Sequence, residues 1–184
     1  MTAEPRDLDN AALRDRAVSA ARGDAPFDLL IRGGTLLDAV TGELRPADIG
    51  IVGALISSVH DQGARSDAVE IIEAEGLTVT PGLIDMHMHV ESSMITPAAY
   101  AQAVLPRGVS TVQWDPHEFA NVHGLDGVGW ALEAAADLPL RMIVLAPSCV
   151  PSAPGLERSG ADFGGAELAD MLARPGIGGV AEVM

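Results

Sequence analysis

A chain of 184 residues, 48% of them hydrophobic, is long enough to bury a sizeable core and too apolar to remain disordered. Its formal net charge of -15, from 26 acidic and 11 basic residues, argues against a nucleic-acid or anionic-membrane partner, which would need clustered cations. Every basic residue is Arg, so a Schiff-base lysine, a phosphate-loop lysine and a carbamylated metal-bridging lysine are all excluded from this sequence.

Residues 8–22 are Ala-rich with apolar positions at helical spacing, and Gly23 and Pro26 follow, which predicts a leading helix within an N-terminal extension over 1–26. Between 27 and 81 the texture changes to brief apolar runs at 29–32, 35–37, 47–52, 55–59, 69–72 and 77–80, punctuated by Gly, Asp and Pro. This pattern predicts a small antiparallel module of β-sandwich type. From 82 to 184 the pattern alternates: strands at 83–90, 109–114, 140–146 and 177–183, with helices opening at Pro97 after Thr96, around 124–137, and near 166–173. Strict alternation predicts parallel strands with right-handed crossovers, an α/β fold that amounts to the first four strands of a (β/α)8 TIM-type barrel. Half a barrel leaves two open sheet edges, so the chain reads as truncated. The lone Cys149 excludes an intramolecular disulfide, no stretch approaches the roughly 18 apolar residues of a membrane span, and residues 1–22 lack an apolar signal core. A cytoplasmic protein is expected.

In parallel α/β barrels, reactive groups gather where the strands end. The predicted strand ends carry His87, His89 and Glu91, then Asp115, His117 and Glu118, then Ser148 and Cys149, and last Glu182. His87 and His89 stand on alternate positions of one strand and so share a face with Asp85, with Met86, Met88 and Val90 opposite. Same-face neighbours about 7 Å apart let two imidazoles lean onto one cation at roughly 2.1 Å each. Asp85 then reads as a hydrogen-bond acceptor that orients an imidazole. Plainer roles also exist: Glu118 as a favourable charge at a helix N-terminus, Ser92 and Ser93 as partners of turn backbone, Cys149 as pocket lining, and His60 and His123 as surface residues.

The run Val79-Thr80-Pro81-Gly82-Leu83-Ile84-Asp85-Met86-His87-Met88-His89, with Leu30-Ile31-Arg32-Gly33-Gly34-Thr35 before it, resembles the amidohydrolase superfamily of metal-dependent hydrolases. His89-Val90-Glu91-Ser92-Ser93-Met94, Asp115-Pro116-His117-Glu118, Pro147-Ser148-Cys149-Val150-Pro151 and Gly179-Val180-Ala181-Glu182-Val183-Met184 are similar to segments of the bacterial adenine deaminase family. The resemblance implies hydrolytic deamination of adenine to hypoxanthine and ammonia by metal-activated water. It implies a divalent metal of manganese or iron type, two ions in the intact enzyme, a homo-oligomer, and a small-molecule substrate with no nucleic acid or membrane involved. Under it, His87 and His89 are metal ligands and Glu182 bridges the metals. Glu118, His117 and Asp115 are candidates for proton transfer or an extra metal, and Glu91, Ser92 and Ser93 line the purine pocket. The family's remaining histidines and its catalytic aspartate lie on later strands, so the isolated chain is expected to be inactive. The competing readings are a related amidohydrolase acting on a cyclic amide, and a non-catalytic half-barrel completed by a partner.

Overall fold

The computed structural model describes residues 9–184. The predicted extension and leading helix therefore fall outside the description at residues 1–8. Helix α1 covers Ala11–Arg22, opened by Asn10, whose side chain accepts the Leu13 N–H at 3.1 Å, and closed by Gly23 at a φ of 87°, a left-handed conformation that glycine adopts without steric cost. Strands β1 (Phe27–Leu37), β2 (Leu44–Val52), β3 (Leu55–His60), β4 (Ala68–Glu73) and β5 (Thr78–Val79) follow.

These five strands form a single sheet in the order β3-β2-β1-β4, with β5 also on β1. The sandwich expected from sequence is thus corrected: instead of a second sheet, α1 supplies the apolar cover, packing Ala17 and Ala20 with Phe27, Leu30 and Val52. A fully buried side chain the size of Phe27 or Leu30 stabilises by about 1.5–3 kcal/mol relative to exposure. Gly50 is where this core leaves no room, since a Cβ there would stand 2.4 Å from the Phe27 ring. The antiparallel expectation is corrected too. β1 pairs antiparallel with β2, and β2 with β3, but β4 and β5 both run parallel to β1. The chain leaves β3 through a connection across the sheet to the far side of β1 instead of a hairpin, so β4 keeps the direction of β1. Buried Asp48 pins that connection by accepting the N–H groups of Gly33 at 2.7 Å and Gly63 at 2.8 Å. The two runs at 29–32 and 35–37 are one strand, and the Gly33-Gly34 pair marks an irregularity in its pairing with β2.

The chain divides into two units between Pro81 and Gly82. In the second unit β6 (Leu83–Met88), β7 (Val109–Trp114), β8 (Arg141–Ala146) and β9 (Ile177–Val180) form a four-stranded sheet in sequence order, all parallel. Helices α2 (Pro97–Val104), α3 (His117–His123), α4 (Leu125–Ala135) and α5 (Gly165–Ala173) connect them. Thr96 caps α2 by accepting the Ala99 N–H at 3.2 Å. Strict alternation fails once, because α3 and α4 both lie between β7 and β8. The seven residues of α3 are too few for a 3.6-residue pattern to register. Trp114, Val112, Leu140 and Val144 are buried with Val90, Tyr100 and Ala131 in the main core, and Met171, Val128, Ala146, Val150 and Ala120 form a second cluster. No helix among the described residues is long and apolar enough to cross a membrane.

Two strands stop earlier than predicted. β6 ends at Met88 because a 3-10 turn over Val90–Ser93 takes up the chain, and β9 ends at Val180. The pairing of β6 with β7 is irregular between Asp85 and Met88, which breaks the simple alternation of faces: Met88 and Val90 join the core while Met86 is exposed.

Candidate metal centre

The parallel sheet brings the ends of β6, β7 and β9 together, and with them four side chains far apart in sequence. One ligand atom from each of His87, His89, Asp115 and Glu182 lies within 4.8 Å of the other three. The Nε2 atoms of His87 and His89 are 3.0 Å apart. Two nitrogens each about 2.1 Å from one cation, at a near right angle, are separated by about 3 Å. Glu182 turns one oxygen toward each ring, Oε2 at 3.4 Å from His87 Nε2 and Oε1 at 3.8 Å from His89 Nε2.

The backbone settles how His89 presents itself. Its Nδ1 lies 3.0 Å from the carbonyl oxygen of Asp115, an acceptor only, so Nδ1 carries the proton and donates it there. Nε2 is left free to face His87 and Glu182, the arrangement metal-binding imidazoles use. Asp85 has another partner: its carboxylate accepts the backbone N–H of His87 at 3.2 Å, not an imidazole proton.

Asp115 is fully buried, and neither of its carboxylate oxygens has a hydrogen-bond partner. An unpaired carboxylate in that state is costly. Burial pushes its pKa up, against the pull of the neighbouring His89 and His117 rings. A divalent cation would relieve that cost by taking the orphaned oxygens as ligands, so the donor set fits the metal that the sequence resemblance implies. The sequence offered Asp115 for proton transfer or an extra metal; its burial and its place beside His87, His89 and Glu182 exist only in three dimensions.

A second group surrounds the other side of His89. Glu118, in the first turn of α3, places Oε2 3.4 Å from His89 Nδ1, and its Oε1 accepts the Ser92 hydroxyl at 2.6 Å. Glu91 accepts the Trp114 indole N–H at 2.6 Å and the Glu118 backbone N–H at 3.2 Å. Burial pushes the Glu91 carboxyl up to about 7, against the lowering effect of its backbone and Trp114 hydrogen bonds. Glu118 is also raised by burial, but hydrogen bonds from Ser92, the Glu91 carboxyl and the backbone outweigh that and hold it below the ordinary range. Ser93 turns away to donate to the Val90 carbonyl. The role of Trp114 was not legible beforehand; an indole at a strand end reads as core until its N–H is seen to hold a carboxylate.

The remaining candidates frame the site. Ser148 donates to the Glu182 carbonyl at 2.6 Å, and the Met184 N–H donates to Cys149 Sγ at 3.0 Å, so the end of β8 holds the segment that carries Glu182. His117 lies edge-on to His89 with ring centroids 6.2 Å apart. His123 is exposed. His60 belongs to the other unit, where it is half-buried and stacked on Phe27, not on the surface.

The amidohydrolase family model matches residues 78–176. Adenine deaminase 2 of Rhizobium etli is 74% identical over 98% of this chain, and an adenine deaminase of Klebsiella pneumoniae is 55% identical over 95%. The chain spans 30% and 29% of the length of those two relatives. Among solved structures, a D-aminoacylase superposes on 82% of this chain and 36% of its own, with a TM-score of 0.56 at 24% identity, a likeness of fold.

Proposed function

The chain belongs to the amidohydrolase family, and from that premise we propose that it is the N-terminal part of an adenine deaminase, which hydrolyses adenine to hypoxanthine and ammonia. The observation that carries the reading is the 74% identity to a relative of that name across 98% of the chain. In this reading β6 to β9 are the first four strands of an eight-stranded barrel, completed by the longer protein.

His87, His89, Asp115 and Glu182 would hold the metal, for which manganese or iron suits a mixed set of imidazole and carboxylate donors. Glu182, with one oxygen toward each histidine, would be the carboxylate donor common to both imidazoles. When bound, the metal supplies Lewis acidity that lowers the pKa of water toward about 7. The chain's own residues then position and move protons. Glu118, held below the ordinary carboxylate range by hydrogen bonds that include Ser92, would be a proton acceptor 3.4 Å from His89 Nδ1, with His117 as its neighbour on α3. Glu91 borders the substrate side as a frame, holding Trp114 and the first turn of α3 through its two oxygens. A cytoplasmic, homo-oligomeric enzyme of adenine catabolism completes the proposal, and light scattering on the intact protein tests the assembly.

The decisive assay is ammonia release from adenine by the intact protein supplied with Mn2+ or Fe2+. Turnover of adenine that His87→Ala abolishes supports the proposal. Turnover of a cyclic amide with none of adenine overturns it.

A further inference from the structure

Ser152 lies in the loop between β8 and α5, in none of the segments that carry the resemblance. Its hydroxyl has two neighbours, Nε2 of His117 at 3.0 Å and the backbone oxygen of Cys149 at 3.3 Å. A serine hydroxyl holds one proton, and a carbonyl oxygen only accepts. Both contacts are hydrogen bonds only if Ser152 donates to Cys149 while His117 donates from Nε2 to Ser152. In the reverse arrangement Ser152 donates to the ring, the Cys149 bond is lost, and the ring proton sits on Nδ1. That nitrogen is buried with no hydrogen-bond partner. An N–H there would be an orphaned buried donor, which folded proteins tolerate less than an unpaired acceptor.

We infer that Ser152 is a positioning residue that fixes His117 as the Nε2–H tautomer and leaves its Nδ1 as a bare proton acceptor at the strand ends. His117 is two residues along from Asp115, and its ring meets that of His89 edge-on, so the acceptor belongs to the candidate site. The tautomer stands on geometry alone. Only the use of that lone pair rests on the deaminase proposal: there Nδ1 is available to the site as a hydrogen-bond acceptor and not as a donor.

Ring 15N spectra of the metal-free, histidine-labelled chain test the inference, with a His117→Gln sample identifying the His117 signals. The wild type is expected to show the proton on Nε2, protected from water. Ser152→Ala is expected to accelerate exchange of that proton by about fivefold or more, the loss of one ordinary hydrogen bond, and Ser152→Thr to restore it. Ser152→Cys, nearly isosteric and a weak acceptor, is expected to behave like Ser152→Ala and serves where the alanine variant does not fold. A wild-type ring protonated at Nδ1 overturns the inference, as does an Nε2 proton indifferent to both the alanine and the cysteine substitutions. The spectra need neither metal nor adenine, so their failure leaves the deaminase proposal standing, and failure of the adenine assay leaves the tautomer standing.

Discussion

Asp48 and Asp115 are the two charged residues buried to 0% exposure among the described residues, one in each unit, and they are in opposite states. Asp48 accepts a backbone N–H on each oxygen, from Gly33 and Gly63. Asp115 accepts none on either. The first carboxylate replaces its lost hydration with fixed donors and ties a crossing connection to the sheet; the second has lost its hydration and gained no hydrogen bond in return. The same contrast runs through the surrounding polar groups. In the first unit Asp28 is engaged by Arg16 and by the Gly53 N–H, and Arg65 by Asp67 and the carbonyls of Ala20 and Ala25, with His60 Nε2 the exception. Just past the end of β7, in the second unit, both carboxylate oxygens of Asp115 and Nδ1 of His117 are buried without a partner. Burial of a polar residue is therefore uninformative by itself; burial together with its partners separates a structural carboxylate from one awaiting a ligand.

The sharpest way to break this comparison is Asp48→Ala. Removing that buried carboxylate leaves two part-buried donors without their acceptor and is expected to destabilise the first unit by about 2 kcal/mol in urea unfolding; a loss below about 0.5 kcal/mol would erase the contrast. Asp115→Asn is expected to do the reverse. It removes an unpaired charge, so the unfolding midpoint of the metal-free chain should stay level or rise. Affinity for Mn2+, read by calorimetric titration, should fall tenfold or more, about 1.4 kcal/mol at the least. A stability loss like that of Asp48→Ala, with affinity intact, would make Asp115 structural. Thr96→Ala sharpens the comparison inside the second unit: losing the cap of α2 is expected to cost about 1 kcal/mol of stability and to leave Mn2+ affinity unchanged. Ser92→Ala is expected to give the smallest effect. Its bond to Glu118 is exposed, so stability should shift by less than about 0.5 kcal/mol, a value that thermal unfolding can bound.

Local sequence determined the units that depend on local physics. Thr96 and Pro97 mark the start of α2, Gly108 closes the 3-10 turn over Leu105–Arg107 that follows it, and the apolar runs mark β7 and β8, because caps, turns and strand patterns are set by neighbours within a few residues. The order of strand ends, and with it His87, His89 and Glu182, followed from the alternation of elements and the parallel pairing it requires. Three things waited for the tertiary structure. The direction of β4 and β5 is set by a connection across the sheet that leaves no periodic trace, so an antiparallel sandwich and a single mixed sheet read alike along the chain. Helix α3 is too short to write its period into the sequence, although it carries His117 and Glu118. Trp114 lies 23 residues from the Glu91 it bonds, His117 lies 35 from Ser152, and the Asp115 carboxylate has no hydrogen-bond partner; satisfaction of a polar atom is a property of the space around it, which composition, spacing and propensity do not encode.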